Sequence, residues 1–286
     1  MSGLPSGYTQ LEYIQSSGKQ YINTAFKPKS TSRVVMDVHL LSPENYPYIF
    51  GVWTSSMQNC CSVYFDSSAG WTVDHGTTRT AIGTAQWDAR LTVDLNGDSV
   101  SIGTTSALLP ASSFSQTLSM FLLAHNSAGS PALNSAAKLY SCAIYDNGAL
   151  VRNFVPCKNA SGAVGLYDTV GRQFYANAGT GTFTAGPEII PDPPAAPTGL
   201  HTVLAVVLQW AASANADRYD VYRDGAKLGS TETTQYVDAT PEANQTYVYT
   251  VKAVNGGGES AGTSITVYTK SGYFEYKPLI ESANFP

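Results

Sequence analysis

The chain has 286 residues, which is enough for about two domains. Only 13 % of the residues are charged, about half of the usual quarter, whereas 43 % are hydrophobic. A hydrophobic share of this size can form a packed core and excludes a disordered chain. The formal net charge of −5 argues against nucleic acid as a partner, because nucleic-acid binding needs a basic surface.

The amino-terminal sequence MSGLPSGYTQLEYIQ has no basic segment followed by an apolar run, so it contains no visible secretory signal. No stretch approaches the ~18 apolar residues of a membrane span. We therefore expect a protein that is made in the cytoplasm without a signal peptide and that does not insert into a membrane.

Strand patterns dominate the sequence, whereas helical periodicity is almost absent. Val34, Met36, Val38 and Leu40 alternate with the residues between them, as in a strand with one buried face. Two Asn-Gly pairs mark hairpin turns. The first, at 96–97, predicts Val93 opposite Val100 and Leu91 opposite Ile102. The second, at 147–148, predicts Ile144 opposite Val151 and Tyr145 opposite Leu150.

The four cysteines are expected to be free thiols. Cys60 and Cys61 are adjacent, so in a strand they point to opposite faces. The hairpin at 147–148 places Cys142 opposite Asn153, and Cys157 lies four residues further along. That offset is roughly 13 Å, which exceeds the ~7 Å limit between the Cα atoms of a disulfide.

A segment with five prolines, residues 186–197, divides the chain, because proline fits neither a helix nor an interior strand. We predict a first domain at 1–188, a proline-rich linker at 189–196, a second domain at 197–270 and a docking tail at 271–286. The tail is rich in large apolar side chains that would adhere to a neighbouring surface. The predicted docking residues are Tyr273, Phe274, Tyr276, Leu279, Ile280 and Phe285.

The second domain resembles a fibronectin type III module. The resemblance rests on Leu208-Gln209-Trp210, on 219–225 and on 246–255, which follow the order of that family's strands. It implies that Trp210 is the core tryptophan and that Tyr247 forms the tyrosine corner, in which the phenol bonds to upstream backbone.

The first domain resembles a laminin-G/concanavalin-A-like domain. The resemblance rests on 7–18, 20–24, 154–158, 165–168 and 179–184, and it covers residues 4–187. This variant is typical of tail, fibre and surface proteins of phages and prophages of gut Firmicutes. The two resemblances imply an all-β protein with an antiparallel jelly-roll sandwich followed by a fibronectin type III β-sandwich.

Catalytic motifs are absent from the sequence. It has no Glu-x-Asp-x-Glu pair of carboxylates, no His-Glu-x-x-His and no Gly-x-Ser-x-Gly, so we expect no enzyme. Asp94, Asn96 and Asp98 mimic the start of a calcium loop, but a hairpin explains them. No cofactor is predicted. Structural calcium stays open, because the laminin-G fold often binds it at a sheet rim, and no ligand residues are nominated.

One region combines aromatic rings with hydrogen-bonding groups, as sugar binding requires. The candidate ligand-binding residues are Trp53, Tyr64, Trp71, Asp74, His75 and Arg79. If Val63 and Phe65 face the core, Tyr64 faces the other side of its strand. The alternative is that Trp53 and Trp71 are core residues between the sheets.

The phage resemblance, the missing catalytic motifs and the aromatic region together lead us to expect a non-enzymatic phage virion protein, in the tail, the fibre or the head decoration, that adheres to host-surface glycans through its first domain. The expected location is the virion surface, and the expected partners are host-surface carbohydrate and other virion subunits; a homo-oligomer stays open. One alternative is a structural decoration or spacer protein without a specific ligand. A glycan hydrolase is the third.

Overall fold

The computed structural model describes residues 4–44, 46–55, 57–83, 87–204 and 207–270. The elements in these ranges are all strands, which confirms the all-β prediction. Across these same ranges no helix has the length and hydropathy needed to cross a bilayer. The chain divides into two compact units, Met1–Ile189 and Ile190–Pro286.

The first unit contains nineteen described strands. They are β1 (Thr9–Gln10), β2 (Ile14–Ser17), β3 (Ile22–Asn23), β4 (Arg33–Leu40), β5 (Tyr48–Trp53), β6 (Cys60–Asp66), β7 (Gly70–Gly76), β8 (Thr78–Gly83), β9 (Arg90–Asn96), β10 (Ser99–Ile102), β11 (Thr105–Leu108), β12 (Phe121–Leu122), β13 (His125–Ser127), β14 (Ser130–Ala132), β15 (Ala136–Asp146), β16 (Ala149–Lys158), β17 (Val164–Asp168), β18 (Gln173–Ala176) and β19 (Thr184–Ala185).

These strands form two sheets that enclose one core. The first sheet runs β11-β10-β9-β4-β15-β16-β17-β18, with β1, β2 and β19 attached beside it. The second sheet runs β14-β13-β5-β6-β7-β8, with β12 linking β3 to β5. The pairs are antiparallel except β13 with β5, which are parallel. Met36 and Val38 of β4 and Phe50 and Val63 of the second sheet pack in the shared core, as in a β-sandwich.

The alternation predicted for β4 is confirmed, because Val34, Met36, Val38 and Leu40 are all buried. The first predicted hairpin register is wrong by two residues. Its turn is 97–98, and Val93 pairs with Ile102. Gly97 adopts a φ of +56° at the first central position, which suits this residue to the turn. A shift of two keeps every side chain on its face, so the buried set is unchanged.

The second predicted register is correct next to its turn, where Tyr145 pairs with Leu150. A bulge between Ile144 and Tyr145 then shifts the ladder by one residue. Ile144 therefore pairs with Arg152 and not with Val151, and Cys142 pairs with Phe154 and not with Asn153. The extra residue in the bulge cannot be read from the turn sequence, because it depends on how the strand curves over the core.

All four cysteines are free and buried, as predicted. Cys61 belongs to the hydrophobic core, whereas Cys60, on the opposite face of β6, does not. Burial raises the pKa values of the Cys60, Cys61 and Cys157 thiols to about 12.

We expect an aromatic disulfide reagent to leave the native protein unmodified and to titrate four thiols under denaturant, since the thiolate is the reactive form. A count below four under denaturant would reveal a disulfide.

The second unit is a smaller pair of sheets. Its strands are β20 (Thr198–Leu204), β21 (Val207–Ala211), β22 (Arg218–Arg223), β23 (Ala226–Thr231), β24 (Gln235–Val237), β25 (Thr246–Asn255), β26 (Gly258–Glu259) and β27 (Thr263–Tyr268). One sheet runs β20-β21-β24 and the other β23-β22-β25, with β26 and β27 both on β25. Leu208 and Trp210 of the first sheet pack with Val221 and Val251 of the other.

Trp210 is a core residue, as predicted, with 5 % of its surface exposed and its ring 5.3 Å from that of Tyr219. The Tyr247 hydroxyl accepts a hydrogen bond from the Glu242 amide at 3.0 Å, which is the expected tyrosine corner. The ring of Tyr247, however, is only half-buried, because it lies near the start of β25. Tyr249, two residues further along the same face, is the fully buried tyrosine of the strand.

The proline-rich segment has no strand between Ile189 and Pro197. At its beginning the Ile189 amide donates to the Gln10 carbonyl within the first unit. Further along, the Asp192 carbonyl accepts from the Asn255 side chain within the second unit. The predicted linker at 189–196 is therefore held by hydrogen bonds at both of these points.

Candidate functional site

The predicted ligand residues of β6 and β7 lie on two faces of the second sheet. Val63, Phe65, Trp71 and Val73 point into the hydrophobic core. Trp71 is 1 % exposed and its ring meets that of Phe65 edge to face at 5.5 Å. Its assignment to a sugar-stacking surface is therefore wrong. Residues of a strand that are two apart share a face, so Trp71 and the core residue Val73 point the same way.

His75 shares the inward face with Trp71 and Val73, and its assignment is wrong for the same reason. Its ring packs against Phe114 at 5.1 Å, and its Nδ1 lies 3.6 Å from a carboxylate oxygen of Asp98. Burial lowers the pKa of His75, although Asp98 acts in the opposite direction. This histidine belongs to the interior of the unit.

Tyr64 and Asp74 lie on the outward face, together with Arg79 of the neighbouring strand β8. Asp74 is fully buried, and Arg79 covers it with a two-pronged hydrogen bond, Nε to Oδ1 at 2.8 Å and Nη2 to Oδ2 at 3.0 Å. The guanidinium also lies over the Tyr64 ring, 5.4 Å from its centroid. About half of the Arg79 side chain remains exposed to solvent.

Two residues that the sequence reasoning missed, Tyr48 and His125, complete this face. Tyr48 stacks on Tyr64 with the ring centroids 4.4 Å apart. His125 contacts Tyr48 at 4.5 Å and Trp53 at 4.4 Å. Trp53, His125, Tyr48 and Tyr64 thus form a continuous row of rings, which we call the outer aromatic row, and Arg79 lies at its Tyr64 end.

Gly51 allows the row to pack this closely on the sheet. A Cβ atom at this position would lie 2.5 Å from Cδ2 of His125, 2.8 Å from Oγ of Ser62 and 2.9 Å from Cδ1 of Tyr48. Real Cβ atoms do not approach other atoms so closely, so the three side chains can meet only above a glycine. The parallel pairing of β13 with β5 places His125 directly beside it.

The outer aromatic row is uncharged at neutral pH. Burial lowers the pKa of His125 to about 4, so its ring is neutral. Burial also raises the pKa values of Tyr48 and Tyr64 above the usual range for tyrosine, with the Asp74 carboxylate acting in the same direction. The pKa of the Arg79 guanidinium is raised, chiefly by its hydrogen bond to Asp74.

Several buried polar atoms of the row make no hydrogen bond with the described residues. They are both ring nitrogens of His125 and the hydroxyl of Tyr64. A buried polar group without a partner costs about 1–3 kcal/mol, so such groups favour a partner that can donate or accept. The Trp53 indole N–H, in contrast, donates to Ser127 Oγ at 2.8 Å.

Three accessible side chains lie at the row: Trp53 belongs to it, Arg79 lies over Tyr64, and Tyr46 is near enough to Tyr64 to help raise its pKa. Tyr46 is 50 % exposed, Trp53 is half-buried and Arg79 is half-exposed. Tyr48 and Tyr64 themselves are only 2 % and 1 % exposed. The structure therefore places the accessible aromatic surface at the ends of the row, beside Tyr64 and at Trp53, rather than along its centre.

No group of three or more His, Cys, Asp or Glu side chains in the described part of the chain could hold a metal ion. Asp94, from the calcium-like sequence, is paired with Arg33 through bonds of 2.9 and 2.7 Å. The six predicted docking residues of the tail, 271–286, lie outside the described residues.

No protein-family model matches the chain. A poly(3-hydroxybutyrate) depolymerase of Ralstonia pickettii is 41 % identical over 102 residues, which is 34 % of this chain and 19 % of that protein. Chitinase Chi52 of Paenibacillus xylanexedens is 37 % identical over 107 residues, 34 % of this chain and 20 % of the chitinase. The chain thus spans about a fifth of the length of these relatives.

Among solved structures, FN3tt mut has a TM-score of 0.25 and 23 % identity, over 27 % of this chain and 97 % of its own. The fibronectin(III)-like modules of Clostridium thermocellum CbhA have a TM-score of 0.24 and 12 % identity, over 49 % of this chain and 72 % of their own. The tripod from the baseplate of bacteriophage Tuc2009 has a TM-score of 0.18 and 11 % identity, over 93 % of this chain and 82 % of its own. The two packed sheets of the second unit show a β-sandwich, and its assignment to the fibronectin type III family stays a prediction. At these TM-scores none of the structures assigns a function.

Proposed function

We propose that this chain is a non-enzymatic carbohydrate-binding protein of a phage particle, that its first unit is a laminin-G/concanavalin-A-like jelly roll, and that this unit binds the glycan. The observation that carries the proposal is the outer aromatic row with its rim of Tyr46, Trp53 and Arg79. Aromatic faces beside fixed hydrogen-bonding groups are the combination that sugar recognition uses. Arg79 keeps N–H groups beyond the two that bind Asp74, and these can donate to sugar hydroxyls.

The same geometry supports a binding role rather than catalysis. Glycoside hydrolysis needs two carboxyl groups that face the sugar from opposite sides. Asp74 is fully buried, and both of its oxygens accept from Arg79. The partial matches to a depolymerase and a chitinase extend over about a third of this chain, as one accessory module shared by otherwise different proteins would.

The proposal is tested by removing the rim. In the full chain, Trp53→Ala and Tyr46→Ala are each expected to weaken binding on a glycan array about tenfold, or ~1.4 kcal/mol, because each removes one stacking surface. Tyr268→Ala is the matched control, since Tyr268 is 59 % exposed and belongs to the second unit. Wild-type protein that binds no glycan, or rim variants that bind as well as the control, would refute the proposal.

A structural spacer without a ligand is the second candidate, and the burial of the row favours it. Tyr48, Tyr64 and His125 are at most 2 % exposed, so their packing also serves to hold the second sheet together. For a spacer, we expect the glycan array to be blank and the rim variants to incorporate normally into particles.

Attachment to the particle is proposed to use the tail at 271–286. Burial of an apolar side chain returns about 1.5–3 kcal/mol, whereas ordering each residue costs about 1–2 kcal/mol, so a partner surface decides whether such a segment is ordered. Deletion of 271–286 is expected to leave both units folded and glycan binding intact but to abolish incorporation into particles. Normal incorporation of the truncated protein would move attachment to one of the folded units.

A further inference from the structure

The charges at the outward face cancel within the protein. Among the described residues, Arg79 is the cation that contacts the outer aromatic row, and its Nε and Nη2 both donate to the buried carboxylate of Asp74. Asp74 is fully buried, so water cannot take the place of Arg79 as the hydrogen-bond partner of its carboxylate. Withdrawing Arg79 toward an anionic ligand would leave an unpaired charge in the interior, which is strongly unfavourable.

Among the described residues, the other titratable side chains of this face carry no positive charge with which an anionic ligand could pair. Burial keeps His125 neutral above its pKa of about 4 and keeps the Cys60 thiol neutral below its pKa of about 12. The pKa values of Tyr48 and Tyr64 are raised in the same way. The half-buried carboxylate of Asp66 interacts electrostatically with both Tyr64 and Arg79, and hydrogen bonds from Ser68 lower its pKa, so it stays ionised. The surroundings of the Arg79–Asp74 pair, which has no net charge, are therefore slightly negative.

We propose that this site selects uncharged saccharides and rejects saccharides that carry carboxylate, sulfate or phosphate groups. The inference rests on the proposed function and names its ligand class. An anionic group would lose its hydration at the rim without gaining an unpaired cation, and it would be repelled by Asp66. A neutral sugar needs only stacking and hydrogen bonds, which Tyr46, Trp53 and the remaining N–H groups of Arg79 can supply.

The test uses the full chain on an array that carries neutral oligosaccharides beside their sialylated, sulfated and phosphorylated forms. We expect each neutral form to bind about tenfold or more tightly than its anionic counterpart. Neutral binding should also change less than about twofold between low and high salt, because no net charge is paired. Equal or tighter binding of the anionic forms would overturn the inference and leave the proposed function standing. Absence of binding to either form would refute the proposed function, and the inference with it.

The cancellation of charge between Arg79 and Asp74 is tested separately with the variant Asp74→Asn, in which the positive charge of Arg79 has no carboxylate partner. We expect this variant to gain affinity for the anionic forms by about tenfold and to acquire salt-sensitive binding. Asp88→Asn is the matched control, because it removes the same charge from a 67 % exposed side chain that pairs with His39 of the first sheet. Thermal unfolding checks that both variants are folded. If Asp74→Asn does not fold, the salt dependence of the wild-type protein decides the question. An Asp74→Asn variant that folds and keeps the wild-type preference contradicts the inference.

Discussion

Trp210→Ala is expected to lower the free energy of unfolding of the second unit by about 3–5 kcal/mol. The ring is 5 % exposed, packs edge to face on Tyr219, and belongs to a core of eight buried side chains. Alanine would leave a cavity between the two sheets of this unit. A small domain has only about 5–15 kcal/mol of stability, so the loss is a large fraction of the total. Calorimetry of the full chain should show the transition of the second unit moved to a much lower temperature.

The transition of the first unit should stay where it is in Trp210→Ala, because the two units have separate cores. Tyr268→Ala serves as the control, since loss of a 59 % exposed ring should change stability by less than about 0.5 kcal/mol. If both transitions shift together in Trp210→Ala, the two units unfold as one and the proposed domain boundary is wrong.

Acidification to pH 4 is expected to cost the first unit about 3 kcal/mol of stability through His125 alone. Burial lowers the pKa of this histidine from 6.5 to about 4 in the folded state, so the unfolded chain binds a proton first. Its effect on stability is therefore absent above pH ~6.5 and grows as the pH falls toward 4. His75 contributes with the same sign, because its pKa is also lowered. Urea unfolding at several pH values between 7 and 4 measures how the free energy of unfolding changes with pH.

His125→Phe isolates the contribution of His125. Neither ring nitrogen has a hydrogen-bond partner among the described residues, so a phenyl ring should be tolerated at pH 7 at a cost of no more than about 1.5 kcal/mol. The variant should then lose about 3 kcal/mol less than the wild type on acidification. His125→Gln, which is also neutral at every pH, repeats the test with a smaller side chain. A variant with the wild-type pH slope would show that His125 is not the acid-sensitive group.

The placement of β4, the existence of both hairpins and the turn at 147–148 followed from local patterns, because strand alternation and Asn-Gly turns are set by neighbouring residues. The registers beyond the turns did not follow as well. The turn at 97–98 uses Gly97 at its first central position, one residue later in the chain than expected. The bulge beside Ile144 reflects the curvature of a long strand between two neighbours, β4 and β16, which no turn signal contains.

The candidate site shows the same contrast between features that neighbouring residues determine and features that distant contacts determine. Tyr64, Asp74 and Arg79 were grouped because they lie close together in the sequence; they do meet on one face, but Tyr64 and Asp74 are buried and the ligand role of all three stays a prediction. Trp71 and His75 were wrongly included, although their alternation with Thr72 and Asp74 already placed them on the face of Val73. Tyr46 and Tyr48, separated only by Pro47, could have been found from their spacing. His125 could not, because a parallel pairing with β5 brings it from more than seventy residues away.

Composition and local pattern by themselves determined the all-β class, the proline-rich division near residue 190 and the free thiols, whereas the core position of Trp210 was implied by the resemblance to the fibronectin type III family. Each of the first three depends on properties of single residues or of their near neighbours: β-propensity, proline's lack of an N–H, and side-chain period. Only the tertiary structure decided which aromatic side chains meet, that Gly51 makes room for His125, and that Asp74 is buried beneath Arg79. Those features arise from contacts between strands that are distant in the chain, where packing and desolvation act on side chains that the sequence does not place together.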